Sequence, residues 1–182
     1  MIQNLSASHH WLLRPHEDLT ATMLPLATLE LARDLRLVPV DRDKTSLFID
    51  FENSQRDRQV GKALKEHLEA FGPFFALMAL ANEKLVGSIR ARIYHEMDPT
   101  HRTVLIAHYC VDKDYQGLGI GSAMVKHLVS SYKRDEQIHA IAAEVDYWNL
   151  PSLRVFEKNQ FKPSMQSLNV KKIILKNQLK AQ

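Results

Sequence analysis

The chain has 182 residues, of which 45% are hydrophobic and 25% charged, the composition of a globular domain that buries its own core. The net charge of +3 is small and the basic residues are interleaved with acidic ones, so the sequence does not indicate a nucleic-acid-binding protein. A single cysteine, an N-terminus without a secretory pattern and apolar runs too short for a membrane span predict a cytoplasmic protein without disulfides or membrane segments.

The first third of the chain has the weakest pattern. The stretch "HWLLRPHEDL" predicts a short strand that ends before Pro15, and recurring leucines predict a helix over residues 24–35. Residues 38–53 carry a proline and many charges, and they are predicted to be irregular. Apolar residues then recur at helical spacing over residues 54–71, which predicts a second helix.

From Phe74 onwards the pattern is that of a mixed α/β protein. Two apolar runs separated by "NEK" predict a β-hairpin. The predicted elements are strands over residues 74–81, 85–94 and 104–111, a helix over 119–132, a strand over 138–145, a helix over 150–159, and one or two closing strands between 161 and 175. Helices and strands do not alternate regularly, which favours an antiparallel middle over a doubly wound sheet.

Half of the six glycines stand at one strand-to-helix junction, in "YQGLGIGSAM" from Tyr115 to Met124. The first turn of a helix has unpaired N–H groups and a partial positive charge, and glycine lets the backbone approach a ligand closely. Such a junction binds phosphate or diphosphate groups. The lysine of a Walker loop and the spacing of a dinucleotide fingerprint are both missing, so another type of nucleotide-binding protein is disfavoured.

Two motifs carry a resemblance to a known family. The sequence "VDKDYQGLGIGSAMVKHLV" resembles the acyl-CoA-binding motif of the GNAT superfamily of N-acetyltransferases, with Gln116, Gly119 and Gly121 at its defining positions. Further on, "EVDYWNLPSLRVFEKNQF" resembles the family's second motif, although Gln160 stands where the family has glycine. The resemblance covers residues 74–161 well and the N-terminal third by topology alone.

The resemblance implies a GNAT-like fold: a central, twisted, mostly antiparallel sheet of six to seven strands, splayed in the middle and flanked by about four helices. It implies a single domain over residues 1–182, with acceptor-side elements in 1–73, the acyl-CoA-binding core in 74–161 and closing strands in 162–182. Acetyl-CoA is the implied co-substrate. The residues that the resemblance places on coenzyme A are Cys110, Val111, Gln116, Gly117, Leu118, Gly119, Ile120, Gly121, Ser122, Asn149, Ser152 and Phe156.

The implied reaction is acetyl transfer to a primary amine by direct attack, and it needs a base for the amine. Glu144 is our candidate base, because it ends the strand that faces the implied gap and stands five residues before Asn149, as in the branch that acetylates ribosomal proteins. A surface carboxylate without a catalytic role is the alternative. His108 is a second candidate base, since histidine titrates near neutral pH, and strand alternation groups it with Ile106 and Cys110.

The acid that protonates the leaving thiolate is the part of the mechanism that the motifs do not supply. Many members have a tyrosine twelve residues after the base position, where this chain has Phe156. Tyr109, Tyr147 or Tyr115 could serve instead, or water could, because a thiol with a pKa near 8.5 leaves tolerably as a thiolate. The alternative function is a non-catalytic acyl-CoA-binding or regulatory module.

The acceptor is predicted only by class, as a small-molecule amine or a protein amine. Four acids before residue 53 are candidates to attract a cationic amine, namely Asp41, Asp43, Asp50 and Glu52. The nine histidines show no metal-ligand spacing, so no metal is predicted. The oligomeric state stays open, a homodimer included.

Overall fold

The computed structural model describes residues 34–41, 43–55, 74–95, 102–166 and 172–179. The predicted N-terminal strand lies outside these ranges, and so do the helices predicted over residues 24–35 and 54–71, apart from their ends. None of the helices in the described ranges is both long and apolar enough to cross a membrane.

Within these ranges, seven strands form one sheet in the order β1-β2-β3-β4-β5-β7-β6. The strands are β1 (Arg36–Pro39), β2 (Phe74–Ala81), β3 (Lys84–His95), β4 (Arg102–Val111), β5 (Ile138–Asp146), β6 (Lys162–Gln166) and β7 (Lys172–Gln178). Neighbouring strands are antiparallel except β4 and β5, which are parallel. The predicted mixed α/β fold with a mostly antiparallel sheet is confirmed.

The hairpin between β2 and β3 follows from its turn. Asn82 and Glu83 connect the strands, and both have positive φ, at 50° and 62°. This is the left-handed backbone of the turns that match the twist of a two-residue hairpin. The hairpin predicted from "NEK" is therefore confirmed, with a tight turn of two residues.

Three α-helices lie in the described ranges: α1 (Thr45–Ser54), α2 (Ile120–Tyr132) and α3 (Leu150–Lys158). The last two were predicted, but the prediction that residues 38–53 are irregular is wrong, since β1 ends and α1 forms there. The buried residues of α1 are Phe48, Phe51 and Glu52, which share one helical face. The charges that obscured the pattern include Asp50, which lies on the exposed side of α1.

The two faces of the sheet carry separate cores. On one face, α2 contributes Ile120, Met124 and Leu128 to the larger core, which also includes Phe156 of α3. On the other face, a smaller core forms around Phe48 and Phe51 of α1 and alternate residues of β2. Each fully buried large apolar side chain contributes about 1.5–3 kcal/mol to folding, so the larger core anchors α2 and α3 firmly to the sheet.

The end of α3 does not need the glycine that the family pattern has there. Gln160 adopts the left-handed φ of 66°, and its N–H bonds to the Glu157 carbonyl at 2.9 Å. The N–H of Phe161 bonds to the Phe156 carbonyl at 3.0 Å, and the two rings pack at 5.1 Å. These bonds and the ring contact are the Schellman motif, so the helix ends normally with a glutamine in the strained position.

An irregularity in β4 reverses which face its residues occupy. Arg90 pairs with His108 and Ala91 pairs with Ile106, so Ala107 is an extra residue in β4. Ile106 therefore lies in the larger core, whereas His108 lies on the α1 face, within 3.9 Å of Glu52. The alternation that grouped His108 with Ile106 is wrong at this point, because a β-bulge breaks the two-residue period.

Candidate active site

The sheet opens between its two parallel strands. Pairing of β4 with β5 runs from Arg102 opposite Ile138 to Ile106 opposite Ala143. Beyond that point β4 continues to Val111 alongside β3, and β5 continues to Asp146 alongside β7. The predicted splay is confirmed, and we call the opening between residues 107–111 and 144–146 the gap.

The glycine loop lies directly after the β4 side of the gap. Gly117 and Gly119 have positive φ, at 78° and 82°, and Gly119 is the N-cap of α2. The first intrahelical bond runs from the Ala123 N–H to the Gly119 carbonyl at 3.0 Å, so the N–H groups of residues 120–122 precede it. A Cβ at Gly117 would meet no atom within 4 Å. The loop thus combines helix N–H donors with open space, which suits a diphosphate.

The loop is held in this shape by its own side chains. Gln116 donates from Nε2 to the Val111 carbonyl at 3.1 Å, which ties the loop to the end of β4. Asp112 accepts at Oδ1 from the Asp114 N–H at 3.1 Å and ion-pairs at 3.3 Å with Lys84. Gln116 therefore shapes the loop, while the half-buried Leu118 packs against the larger core.

Gly121, the third glycine of the loop, is explained by packing and not by backbone conformation. A Cβ at Gly121 would lie 1.9 Å from the hydroxyl oxygen of Tyr109, so glycine is required for packing there. The Tyr109 ring also packs against Phe156, with centroids 5.8 Å apart. Burial raises the pKa of Tyr109 to about 12, with a smaller contribution from Cys110. The phenol of Tyr109 is thus held between the first turn of α2 and the position of the missing tyrosine.

The other two tyrosine candidates lie elsewhere. Tyr147 is 54% exposed and packs edge-on against Trp148, with centroids 4.7 Å apart. Tyr115 lies beneath the Lys84 ammonium group, 4.9 Å from its ring centroid. Of the three candidate acids, Tyr109 is the one whose ring contacts Phe156.

Polar side chains connect the start of α2 to α3 and β7. Asn149 is the N-cap of α3 and accepts at Oδ1 from the Ser152 N–H at 3.2 Å. Asn159 donates to Ser122 Oγ at 3.0 Å, and Asn177 donates to the Asn159 carbonyl at 2.8 Å. Asn159 and Asn177 were missed by sequence reasoning, because their partners are 37 and 18 residues away.

Glu144 lies on the β5 side of the gap. It follows Ala143, the last residue of β5 that pairs with β4, and it is exposed. Ala143 and Val145 are both in the larger core, so alternation places Glu144 on the opposite face, which is the face of α1. Glu144 and His108 therefore lie on the same face, one on each side of the gap.

A buried charged cluster on this face was also missed. Glu52 of α1 has no exposed surface, accepts at Oε2 from Arg90 Nε at 3.1 Å, and accepts at Oε1 from Ser88 Oγ at 3.3 Å. Ser88 also lies 3.1 Å from Cys110 Sγ. Glu52 is thus unavailable to attract an amine, contrary to the sequence expectation. Phe48, Phe51 and Glu52 share a helical spacing that could have indicated the buried face of α1.

Metal ligands do not cluster in this part of the protein. Across the described residues, no group of three or more His, Cys, Asp or Glu side chains is arranged to hold a metal ion. The described site has main-chain donors on the α2 side and ionisable side chains on the α1 face.

The splayed sheet and the glycine loop define an acetyltransferase of the GNAT type. The acetyltransferase (GNAT) family model matches residues 44–161, and the chain belongs to this family. No curated protein matches the chain significantly.

Solved structures with the same fold have low sequence identity to the chain. Arabidopsis thaliana NAA60 in complex with a bisubstrate analogue is 13% identical with a TM-score of 0.61, over 79% of this chain and 97% of that one. Salmonella typhimurium yncA, solved with acetyl-CoA, is 16% identical with a TM-score of 0.62, over 81% and 95%. The Escherichia coli ribosomal-protein-S18-alanine N-acetyltransferase is 15% identical with a TM-score of 0.62, over 81% and 96%. At these identities the likeness establishes the shared fold.

Proposed function

We propose that the protein transfers an acetyl group from acetyl-CoA to a primary amine by direct attack through a tetrahedral intermediate. The observation that carries this proposal is the position of the gap, which begins at the strand that leads into the glycine loop. A carrier whose diphosphate lies on the loop can extend along β4, so that its thioester reaches the gap. Family membership and relatives solved with acetyl-CoA support the same carrier.

Carrier binding is assigned to the main chain. The N–H groups of residues 120–122 and the positive end of α2 favour the diphosphate, and the edge of β4 that faces the gap can bond to the pantetheine arm. Cys110 and Val111 take part through their backbone. Asn149 and Ser152 are assigned to the arm at the start of α3, where the side-chain amide nitrogen of Asn149 is the donor.

Glu144 is the proposed base that deprotonates the amine during attack. It lies at the gap and is exposed, so an acceptor that reaches the thioester also reaches its carboxylate. The nitrogen becomes positively charged when it bonds to the carbonyl carbon, and loss of a proton to Glu144 lets the tetrahedral intermediate break its C–S bond. A positioned base typically contributes 10²–10⁴-fold to such a step.

Tyr109 is the proposed source of the proton for the leaving thiolate, in place of a tyrosine at position 156. Its ring contacts Phe156, and its raised pKa keeps the phenol protonated at neutral pH. Tyr147, exposed at the end of β5, is the alternative donor. Water remains sufficient if neither serves, since the thiolate is a tolerable leaving group.

The acceptor is proposed as a small-molecule or protein amine. One relative with this fold is a ribosomal-protein-S18-alanine N-acetyltransferase, which supports a protein amine. The second candidate function is a non-catalytic acyl-CoA-binding module, and Phe156 at the usual tyrosine position is the observation that favours it. A cytoplasmic location and a homodimer stay predictions.

Thiol release from acetyl-CoA tests both candidates. The panel contains a polyamine, an aminoglycoside-type sugar, lysine and peptides with free N-termini, and acetyl-CoA affinity is measured by calorimetry. We expect turnover with at least one amine, and a fall in kcat of about 10²-fold or more in Glu144→Gln with unchanged affinity. Glu136→Gln, two residues before β5 begins, is the matched control. Tight binding without turnover on any amine favours the non-catalytic module.

A further inference from the structure

A buried charged pair, Glu52 with Arg90, lies beneath the β4 side of the gap. The proposed reaction gives this pair no role. Glu52 is fully buried between Arg90 and Ser88, and its Oε1 lies 3.9 Å from His108 Nε2. A buried carboxylate and guanidinium are costly to desolvate unless each is well paired. This costly pair lies beside His108, at the gap where the proposed reaction takes place.

The β-bulge brings this histidine to the gap. With Ala107 as the extra residue, His108 falls beyond the last pair between β4 and β5 and on the face of α1. Its side chain keeps 15% of its surface exposed, although the Nε2 atom that faces Glu52 is buried. Glu144 lies on the same face across the gap, and two proton acceptors therefore flank it from opposite strands.

The proposed acetyl transfer can use two proton acceptors. An alkylammonium and acetyl-CoA become an N-acetylamine, free coenzyme A thiol and one proton, so the nitrogen loses two protons. The first must leave before attack, because it occupies the lone pair that forms the C–N bond. The second leaves the tetrahedral intermediate as the C–S bond breaks, and the departing thiolate takes up one proton.

We propose that His108 accepts the first proton from a cationic amine and passes it to solvent, with Glu52 as its positioning residue, while Glu144 accepts the second. This inference rests on the proposed function. The Glu52 carboxylate stabilises the imidazolium that forms, and Arg90 and Ser88 fix the carboxylate in place. The substrate class that follows is a strongly basic amine, protonated when it arrives.

The charged and titratable groups on this face come from five elements. They are Glu52 from α1, Arg90 and Arg92 from β3, Cys110 from β4 itself, Glu144 and Asp146 from β5, and Lys176 from β7. The Glu52 carboxylate lies 3.9 Å from His108 Nε2, and its negative charge favours the protonated imidazole. Removal of its charge leaves Arg90, which disfavours that form, so both effects shift the proton affinity of His108 downwards.

The test compares acceptors of different basicity. An alkylamine accepted by the wild type and its less basic fluorinated analogue are assayed across pH with His108→Gln, which retains size and polarity. We expect kcat/KM for the alkylamine at pH 7 to fall about 100-fold, with unchanged acetyl-CoA affinity and a much smaller loss for the analogue. The loss should shrink as pH approaches the pKa of the alkylamine, because the amine then arrives neutral. His127→Gln on α2, across the sheet, is the matched control and should behave as wild type.

Glu52→Gln supplies a second readout. It should move the acidic limb of the kcat/KM profile to lower pH, because His108 then loses its proton more readily. Equal losses for both amines in His108→Gln, independent of pH, would overturn the inference and leave the proposed function standing. Absence of wild-type turnover with every amine would overturn the proposed function and this inference with it. If Glu52→Gln does not fold, the two-amine comparison decides alone.

Discussion

The two faces of the central sheet bury side chains of different chemistry. The face beneath α2 and α3 is a continuous apolar core, in which Met124, Val125 and Leu128 are fully buried. The face beneath α1 has a small apolar core, and beside it a charged pair, Glu52 with Arg90, that is almost wholly removed from water. One face is held together by apolar area and the other depends on a paired charge.

The two faces therefore have different proposed roles, which are carrier binding and proton transfer. The apolar face fixes the position of the glycine loop, whose main-chain donors need no ionisable side chain. The α1 face carries Glu144, His108 and the buried pair, which are groups that can take up or stabilise protons. Carrier binding should therefore survive most changes on the α1 face, and stability there should depend on whether charges remain paired.

The largest effect is expected for Arg90→Met. The substitution keeps the length of the side chain but leaves the Glu52 carboxylate buried without its guanidinium, which costs about 3–5 kcal/mol in the free energy of unfolding. Denaturant titration followed by circular dichroism measures the loss. Addition of Glu52→Gln to Arg90→Met should recover part of it, because no isolated charge then remains buried.

Arg36→Met is the matched control for that prediction. Arg36 pairs with Glu83 at the surface, where the side chains are 50% and 79% exposed, so its loss should cost less than about 1 kcal/mol. Similar losses in the two variants would show that the buried pair contributes no more than a surface pair, and the contrast between the faces would fail.

A smaller effect, on binding, is expected at Gly117. Asp and Asn both tolerate a left-handed backbone, and open space surrounds this position, so Gly117→Asp and Gly117→Asn should fold alike. A carboxylate near a diphosphate repels it by about 1 kcal/mol per charge at 4 Å in water. Acetyl-CoA should therefore bind about tenfold more weakly to Gly117→Asp than to Gly117→Asn.

Acetyl-pantetheine, which has no diphosphate, is the control ligand for this pair of variants, and it should bind both equally. Added salt should narrow the difference for acetyl-CoA, because it screens exposed charges. Equal acetyl-CoA affinities at low salt would place the diphosphate away from the loop.

The sequence predicts the apolar face better than the α1 face for a physical reason. The glycine loop, the hairpin and the caps of α3 are local signals, in which the interacting residues are at most a few positions apart. The bulge at Ala107 depends on pairing with β3, and the burial of Glu52 depends on Arg90, 38 residues later. The bulge leaves no periodic trace, so alternation placed His108 wrongly, and the charges of residues 38–53 concealed the helical spacing of α1.

The smallest effect is expected at Gln160, where a local rule is broken. Its φ of 66° costs an L-residue about 1–2 kcal/mol, whereas glycine adopts this conformation freely. Glycine also gives the unfolded chain more conformational freedom, and this cancels about 0.4–1 kcal/mol of the stability gained by relieving the strain. Gln160→Gly should therefore raise the free energy of unfolding by about 0.5–1 kcal/mol, or the Tm by about 1–4 °C. The backbone bonds of the Schellman motif are kept, so catalysis should not change.

Gln55→Gly is the matched control, because Gln55 also follows a helix but has a φ of −87°. No strain is relieved there, so the added freedom of the unfolded chain should lower the Tm instead. Opposite signs in the two variants identify backbone strain as the cause. A fall in Tm for both would mean that the Gln160 side chain contributes contacts worth more than its strain, and that the end of α3 is held by its side chains as well as by its backbone.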